Sequence, residues 1–184
     1  GTGVLKLSDS SQNLVWGQGL PENFIVNEVG HSIRGAGQLG VGTLGIVNGG
    51  WITARGTNPL YLSPSSFGIL NSGTIEADGG TLVITGEVHN VANDLGIFGH
   101  ISAHALSRVE ISSGSKVANG RIFASEGGVI ALDGSQLERV SLNISSGSRL
   151  ELSGGARVTG GTIQMNGTAE VQGWGGRLEN ITLG

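Results

Sequence analysis

The chain contains no cysteine, three prolines and one methionine in 184 residues. Without cysteine it forms no disulfide and holds no thiolate-bound metal. Charge is sparse as well: Asp, Glu, Lys and Arg make up 13% of the residues and leave a net charge of -4. The cations are two lysines and eight dispersed arginines. Phosphate backbones are bound by clustered Lys and Arg, so no nucleic-acid partner is expected. No apolar run approaches the roughly 18 residues that span a bilayer, and no membrane-spanning segment is expected. The start lacks a basic-plus-apolar export signal. Because it opens on Gly1 rather than Met, the chain reads as a piece of a longer protein.

Glycine is what the sequence has in excess: 35 residues, about 19% against roughly 7% in average proteins. Glycine does not recur at every third position and proline is scarce, which excludes collagen. Disorder pairs low hydrophobicity with high net charge, whereas 38% of this chain is hydrophobic. An ordinary helical domain is disfavoured, because each interior glycine costs about 1 kcal/mol relative to alanine. A folded, turn-rich, all-β chain remains.

A short motif recurs along it: a small or polar turn, an apolar residue, a polar one, then a small one. It reads GHSIRGAGQL around Ile33, GGWITARG around Ile52 and SGTIEADGGTLVI around Ile75. It continues around Ile101, Ile122, Leu142, Ile163 and Ile181. These anchors lie 19, 23, 26, 21, 20, 21 and 18 residues apart, a mean of about 21. Such a fixed period is the mark of a repeat architecture.

Within each repeat the apolar residues alternate, as in Ile75 and Ala77, Leu82 and Ile84, or Ile122 and Ala124. A period of two belongs to strands, and Gly-Gly, Ser-Gly, Asn-Gly and Asp-Gly steps between them supply corners. A sandwich would space its strands at about 8–12 residues. A self-similar unit of twice that length, holding two or three strand pieces, is instead a coil of a single-stranded parallel β-helix. The expectation is one domain over residues 1–184, with eight or nine coils stacked at about 4.8 Å into a rod of roughly 40 Å. The preference for right-handed β crossovers makes the helix right-handed. Residues 1–30, with Trp16, Pro21 and Phe24, are expected to form an irregular first coil or cap. Residues 86–106 are expected to leave the rod, as is the turn region in which Pro59 and Pro64 flank Tyr61.

The phrases VNGGWITA, NSGTIEADGGTLVI and SGGARVTGGTIQM resemble repeats of large secreted bacterial β-helix proteins. These are autotransporter passenger domains and filamentous-haemagglutinin-like adhesins, and the likeness runs over most of residues 27–184. The resemblance implies export as a rod to the outside of the cell or its outer surface. It also implies a role as stalk or adhesin toward host surface, matrix or neighbouring cells. It carries no catalytic residue onto this chain. Two alternatives stand beside it: a carbohydrate-active β-helix enzyme, and a segment of a trimeric spike that binds polysaccharide.

GAGQLG at 35–40 satisfies G-x-G-x-x-G, yet a dinucleotide site needs it to open a helix, and more glycine follows here. No cofactor is expected. His100 and His104 have the i, i+4 spacing of paired helical ligands, but an extended chain would hold them about 13 Å apart. They are expected to be exposed loop residues, with no metal. The acids Asp9, Asp78, Asp94 and Asp133 are scattered, and catalytic β-helix sites need converging carboxylates. Glu76, Glu110, Glu151 and Glu170, with Arg108, Arg121 and Arg149, are expected to form a mixed-charge outer face. Asn48, Asn71, Asn119 and Asn180 sit near corners, suited to amide ladders or left-handed turns. Trp51 occupies the slot before an anchor isoleucine and so points outward. Trp51 and Tyr61 are the candidate surface contacts for a ligand such as a glycan, while oligomer contacts through coil ends or faces are the other use of such surfaces.

Overall fold

The computed structural model describes residues 1–20 and 22–184; Pro21, placed above in the first coil, lies outside the described residues. The chain is a parallel β-solenoid of about eight coils, roughly 21 residues apart. No helix among the described residues is long and apolar enough to cross a membrane.

Three columns of short strands make three faces. Face one stacks Val4–Lys6, Ser32–Gly35, Trp51–Ala54, Thr74–Asp78, His100–His104 and Arg121–Ala124, then the second halves of two long strands, and ends at Thr182–Leu183. Face two runs from Leu14–Val15 to Glu170–Trp174 in an eight-stranded sheet. Face three runs from Phe24–Asn27 through Gly45–Asn48, Ile69–Asn71, Glu87–Asn90 and Lys116–Ala118 to Arg177–Glu179. In coils seven and eight the long strands Gln136–Ile144 and Arg157–Met165 pass from face three to face one. They bend at Arg139 and Gly160, whose φ angles are +53° and +66°.

All pairing between strands is parallel and in register. On face one the ladder runs Leu5, Ile33, Ile52, Ile75, Ile101, Ile122, Leu142, Ile163 and Leu183. Seven of the eight anchors read from the repeat therefore occupy one inward column. The last is corrected: Leu183, not Ile181, lies opposite Ile163. Face two contributes Leu39, Leu62, Ile84, Ile111, Leu132 and Leu152, and face three contributes Ile46, Ile69, Val88, Val117, Leu137 and Val158. Apart from Leu5 and Leu183 at the two exposed ends, these side chains fill one continuous core. Each fully buried Leu, Ile or Val there is worth about 1.5–3 kcal/mol relative to exposure. No coil closes such a core alone, so stacking is what stabilises the fold.

Beside the face-three ladder, at the corner toward face one, runs a buried column of asparagines. Asn27 donates to Asn48 Oδ1 at 2.7 Å, Asn48 to Asn71 Oδ1 at 2.8 Å, and Asn71 to Asn90 Oδ1 at 2.8 Å. The Nδ2 groups of Asn27, Asn48 and Asn71 also donate to the carbonyl oxygens of Trp51, Thr74 and His100. Asn90 ends the column on the carbonyl of Asn119. Asn119 and Asn180 serve the same corner differently, taking φ angles of +63° and +54°.

Residues 1–30 supply one strand to each face: Val4–Lys6, Leu14–Val15 and Phe24–Asn27. Of residues 86–106, only 91–99 leave the stack, while Glu87–Asn90 and His100–His104 keep register. Tyr61 likewise lies within the strand Leu60–Leu62 of face two, not in an excursion. GAGQLG spans the end of the strand Ser32–Gly35, a tight bend at Ala36 and the strand Gly37–Leu39. A Cβ on Gly35 or Gly37 would fall 2.1 Å from the Leu7 carbonyl oxygen or 2.5 Å from that of Asn13. These glycines admit the loop of the preceding coil and open no helix.

Candidate functional site

Alternation turns every second residue of face one outward. One outward column reads Ser32, Trp51, Thr74, His100, Arg121, Ser141 and Thr162. Beside it runs Arg34, Thr53, Glu76, Ser102, Phe123, Asn143 and Gln164. Two depressions follow these columns. One, of about 210 Å³, lies against Trp51, Phe98, Ile97, Asn93, Thr74 and His100. The other, of about 500 Å³, lies against His100, Arg121, Phe123, Ser141, Asn143 and Gln164. His100 belongs to both.

His100 and His104 are therefore on a strand of face one, not on an exposed loop. The Phe123 ring of the following coil lies between them, its centroid 5.4 Å from the His100 ring and 5.2 Å from that of His104. His100 Nε2 is 3.2 Å from Thr74 Oγ1, and His104 Nδ1 is 2.7 Å from Ser125 Oγ. Between the histidines Ser102 points outward yet is fully buried, with its hydroxyl unpartnered. Burial lowers the His100 pKa below the ordinary imidazole value, and the charges of Arg121 and His104 lower it further. Among the described residues no three His, Cys, Asp or Glu side chains are grouped to hold a metal ion.

Trp51 is 50% exposed at the upper end of this strip, where Gly49, Gly50 and Gly73 leave the corner bare around it. Tyr61, 36% exposed, is on face two, in register with Gln38 and Val83. The two aromatic candidates thus stand on different faces and do not share a surface.

The expected mixed-charge face divides. Glu110, Glu151, Arg108 and Arg149 do assemble, on face two. Arg108 reaches across the Ala131 rung to Glu151 at 2.7 Å, and Arg149 Nε meets the other oxygen of Glu151 at 2.7 Å. Partial burial pushes the Glu151 pKa up, and hydrogen bonds from Arg149 and Arg108 outweigh it and hold the carboxyl below its ordinary value. Glu76 and Arg121 are on face one instead. Glu76 accepts from the Thr53 hydroxyl at 2.9 Å.

Three of the four scattered aspartates have separate partners. Asp78 pairs with Arg55. Asp9 accepts hydrogen bonds from the Thr57 and Asn58 amides at 3.0 and 2.8 Å and from the Thr57 hydroxyl at 2.8 Å, so its pKa is held well below the carboxylate range. It ties the loop of the first coil to that of the third. Asp133 accepts from the Ser153 hydroxyl at 3.1 Å.

The fold thus defines the class, a three-sided parallel β-solenoid. No known protein family, curated protein or solved structure matches the chain.

Proposed function

We propose that this chain is a non-catalytic segment of a secreted or bacterial cell-surface protein. It acts as a stalk or adhesive rod of the adhesin or autotransporter-passenger type. The observation that supports this reading most is the unbroken register from Leu5 to Leu183, which stiffens the whole length into a rod. A stack of ladders is suited to holding a surface at a distance from its base. The acids favour the same reading: Glu110 and Glu151, which do come together on face two, are engaged by Arg108 and Arg149, while Glu76, Asp78 and Asp133 are engaged elsewhere by Thr53, Arg55 and Ser153. A glycoside hydrolase would need two carboxylates flanking one scissile bond.

The test pairs two assays on the purified chain: retention on host cells and matrix-coated surfaces, and release of new sugar ends from polysaccharides. Retention without release is the expected result. Release that scales with protein concentration would replace this reading with the carbohydrate-active enzyme, and a stable trimer in light scattering would replace it with a spike segment.

A further inference from the structure

We infer that the strip on face one from Trp51 to Gln164 is a binding site for a carboxylate-bearing oligosaccharide. This deepens the adhesive reading above and rests on it. In register, Trp51, Thr74, His100, Arg121, Ser141 and Thr162 follow one another at about 4.8 Å per coil, so the strip from Trp51 to the Gln164 rung is about 24 Å long. Its two depressions, about 210 and 500 Å³, share His100 as a lining residue and lie end to end along the strip; the two together are the trough.

The trough has an uneven profile for a local reason. Arg121 and Phe123 are bulky, whereas the next coil presents Ser141 and Asn143 at the same two levels, with Ser145 beyond them. Gln164 in the coil after that forms the far wall. A wall of arginine and aromatic ring, a floor of hydroxyls and an amide, and an amide on the opposite side make up the lining.

Each part matches a part of an acidic sugar. Aromatic rings take the apolar faces of pyranose rings, and Trp51 and Phe123 stand at the two ends of the trough's upper half. Amides and hydroxyls pair with ring hydroxyls in both donor and acceptor senses. A guanidinium binds a carboxylate through two parallel N–H donors. Arg121 is exposed, and among the described residues it pairs with no acid. Neither depression is lined by a carboxylate. The acids in register on this face, Glu76 and Asp78, are on the strand two rungs from Arg121 and are engaged by Thr53 and Arg55. In a chain of net charge -4 this is a locally cationic patch.

Other anionic partners fit less well. A nucleic acid would demand several clustered cations, and one arginine lines the trough. An acidic peptide gains affinity by adding a strand to a free sheet edge, and the backbone under the trough is already paired on both sides.

The experiment titrates the intact chain with trigalacturonic acid and with 3′-sialyllactose, each beside its neutral counterpart, the methyl ester and lactose. Nuclear magnetic resonance shifts locate the binding. At least one acid is expected to bind, shifting resonances from Trp51 to Gln164, and its neutral counterpart to bind about tenfold more weakly. Arg121→Gln is expected to weaken the acid about tenfold and leave the neutral sugar unchanged, since Arg121 is exposed and its loss leaves the fold intact. Phe123→Leu weakens both. Arg177→Gln, an exposed arginine in the last coil, changes neither. Binding of neither acid, equal binding of acid and neutral partner, or indifference to Arg121→Gln would each overturn the inference. If the chain adheres to cells yet ignores both acids, the trough assignment fails and the adhesive rod stands. If it binds an acid yet adheres to nothing, the reverse holds.

Discussion

The side-chain amide of Asn48 donates to Oδ1 of Asn71 at 2.8 Å across two coils, and both residues are fully buried. A buried amide is tolerated only when its donors and acceptors are paired, and this column pairs them from Asn27 to Asn119. The ladder therefore specifies which coil sits on which, a property that an all-isoleucine column lacks.

Asn71→Leu is the direct test of that column. It removes the acceptor for Asn48 and the donors for Asn90 and the His100 carbonyl. The expected loss is about 2–4 kcal/mol, read from urea unfolding, since each orphaned buried group costs about 1–3 kcal/mol. Asn119→Gly should be close to neutral, because that site requires a φ of +63° and contributes only its carbonyl to the ladder.

Gly128 shows where the backbone needs glycine for space. A Cβ there would lie 2.2 Å from the Ala103 carbonyl oxygen in the preceding coil. Gly128→Ala should separate the coils locally and lower the thermal midpoint sharply or prevent folding. Gly173→Ala meets nothing within 4 Å and should leave the midpoint unchanged. Equal effects from the two would show that the coils are not packed at this spacing.

Two windows of pH dependence follow from His100 and Glu151. His100 is held below its ordinary pKa, so the unfolded chain takes up a proton that the folded chain resists. Stability should fall as pH drops below about 6.5, until the folded pKa is passed. Glu151 is also depressed, by Arg149 and Arg108 against the effect of burial, so its contribution is present above about 4.3 and is lost below that. In denaturation midpoints followed from pH 7.5 to 3, His100→Gln should flatten the upper window alone and Glu151→Gln should shrink the lower, where Asp9, also held below its ordinary value by Asn58 and Thr57, carries the remainder.

Core truncation should depend on position in the stack. Ile101 is fully buried in the middle of the face-one ladder, whereas Leu5 in the first coil is 42% exposed. Ile101→Ala is expected to cost about 2–5 kcal/mol and Leu5→Ala clearly less, by urea unfolding.

Most of the architecture was legible because a solenoid writes its period directly into the chain. An inward isoleucine needs an inward partner one coil later, so spacing along the sequence becomes spacing along the axis. The reading failed at Ile181 for an equally physical reason. Residues 181 and 183 have the same parity, so alternation does not tell them apart, and the corner at Asn180 decides. Ile181 takes the level of Val140, just past the bend, and Leu183 takes the ladder. Residues 1–30 were hard to place because longer loops separate strands of only two to four residues.

The trough was not legible. Trp51 pointed outward as its slot required, but nothing in the sequence joins it to Phe98, or Phe123 to His100 and His104. Those neighbours are made by register across coils of unequal length, and the unequal lengths are set by loops such as 91–99. Tyr61 failed as a companion to Trp51 for the same reason, since ten residues carry the chain around a corner to another face.

Coils stacked in parallel register place the whole strip on one face. The absence of cysteine makes this directly measurable. Spin labels at Ser32→Cys and Thr162→Cys occupy one outward column six rungs apart. Electron–electron double resonance should give a single narrow backbone separation near 29 Å after allowance for the label arms. A broad distribution, or a separation below about 20 Å, would contradict the stacked register.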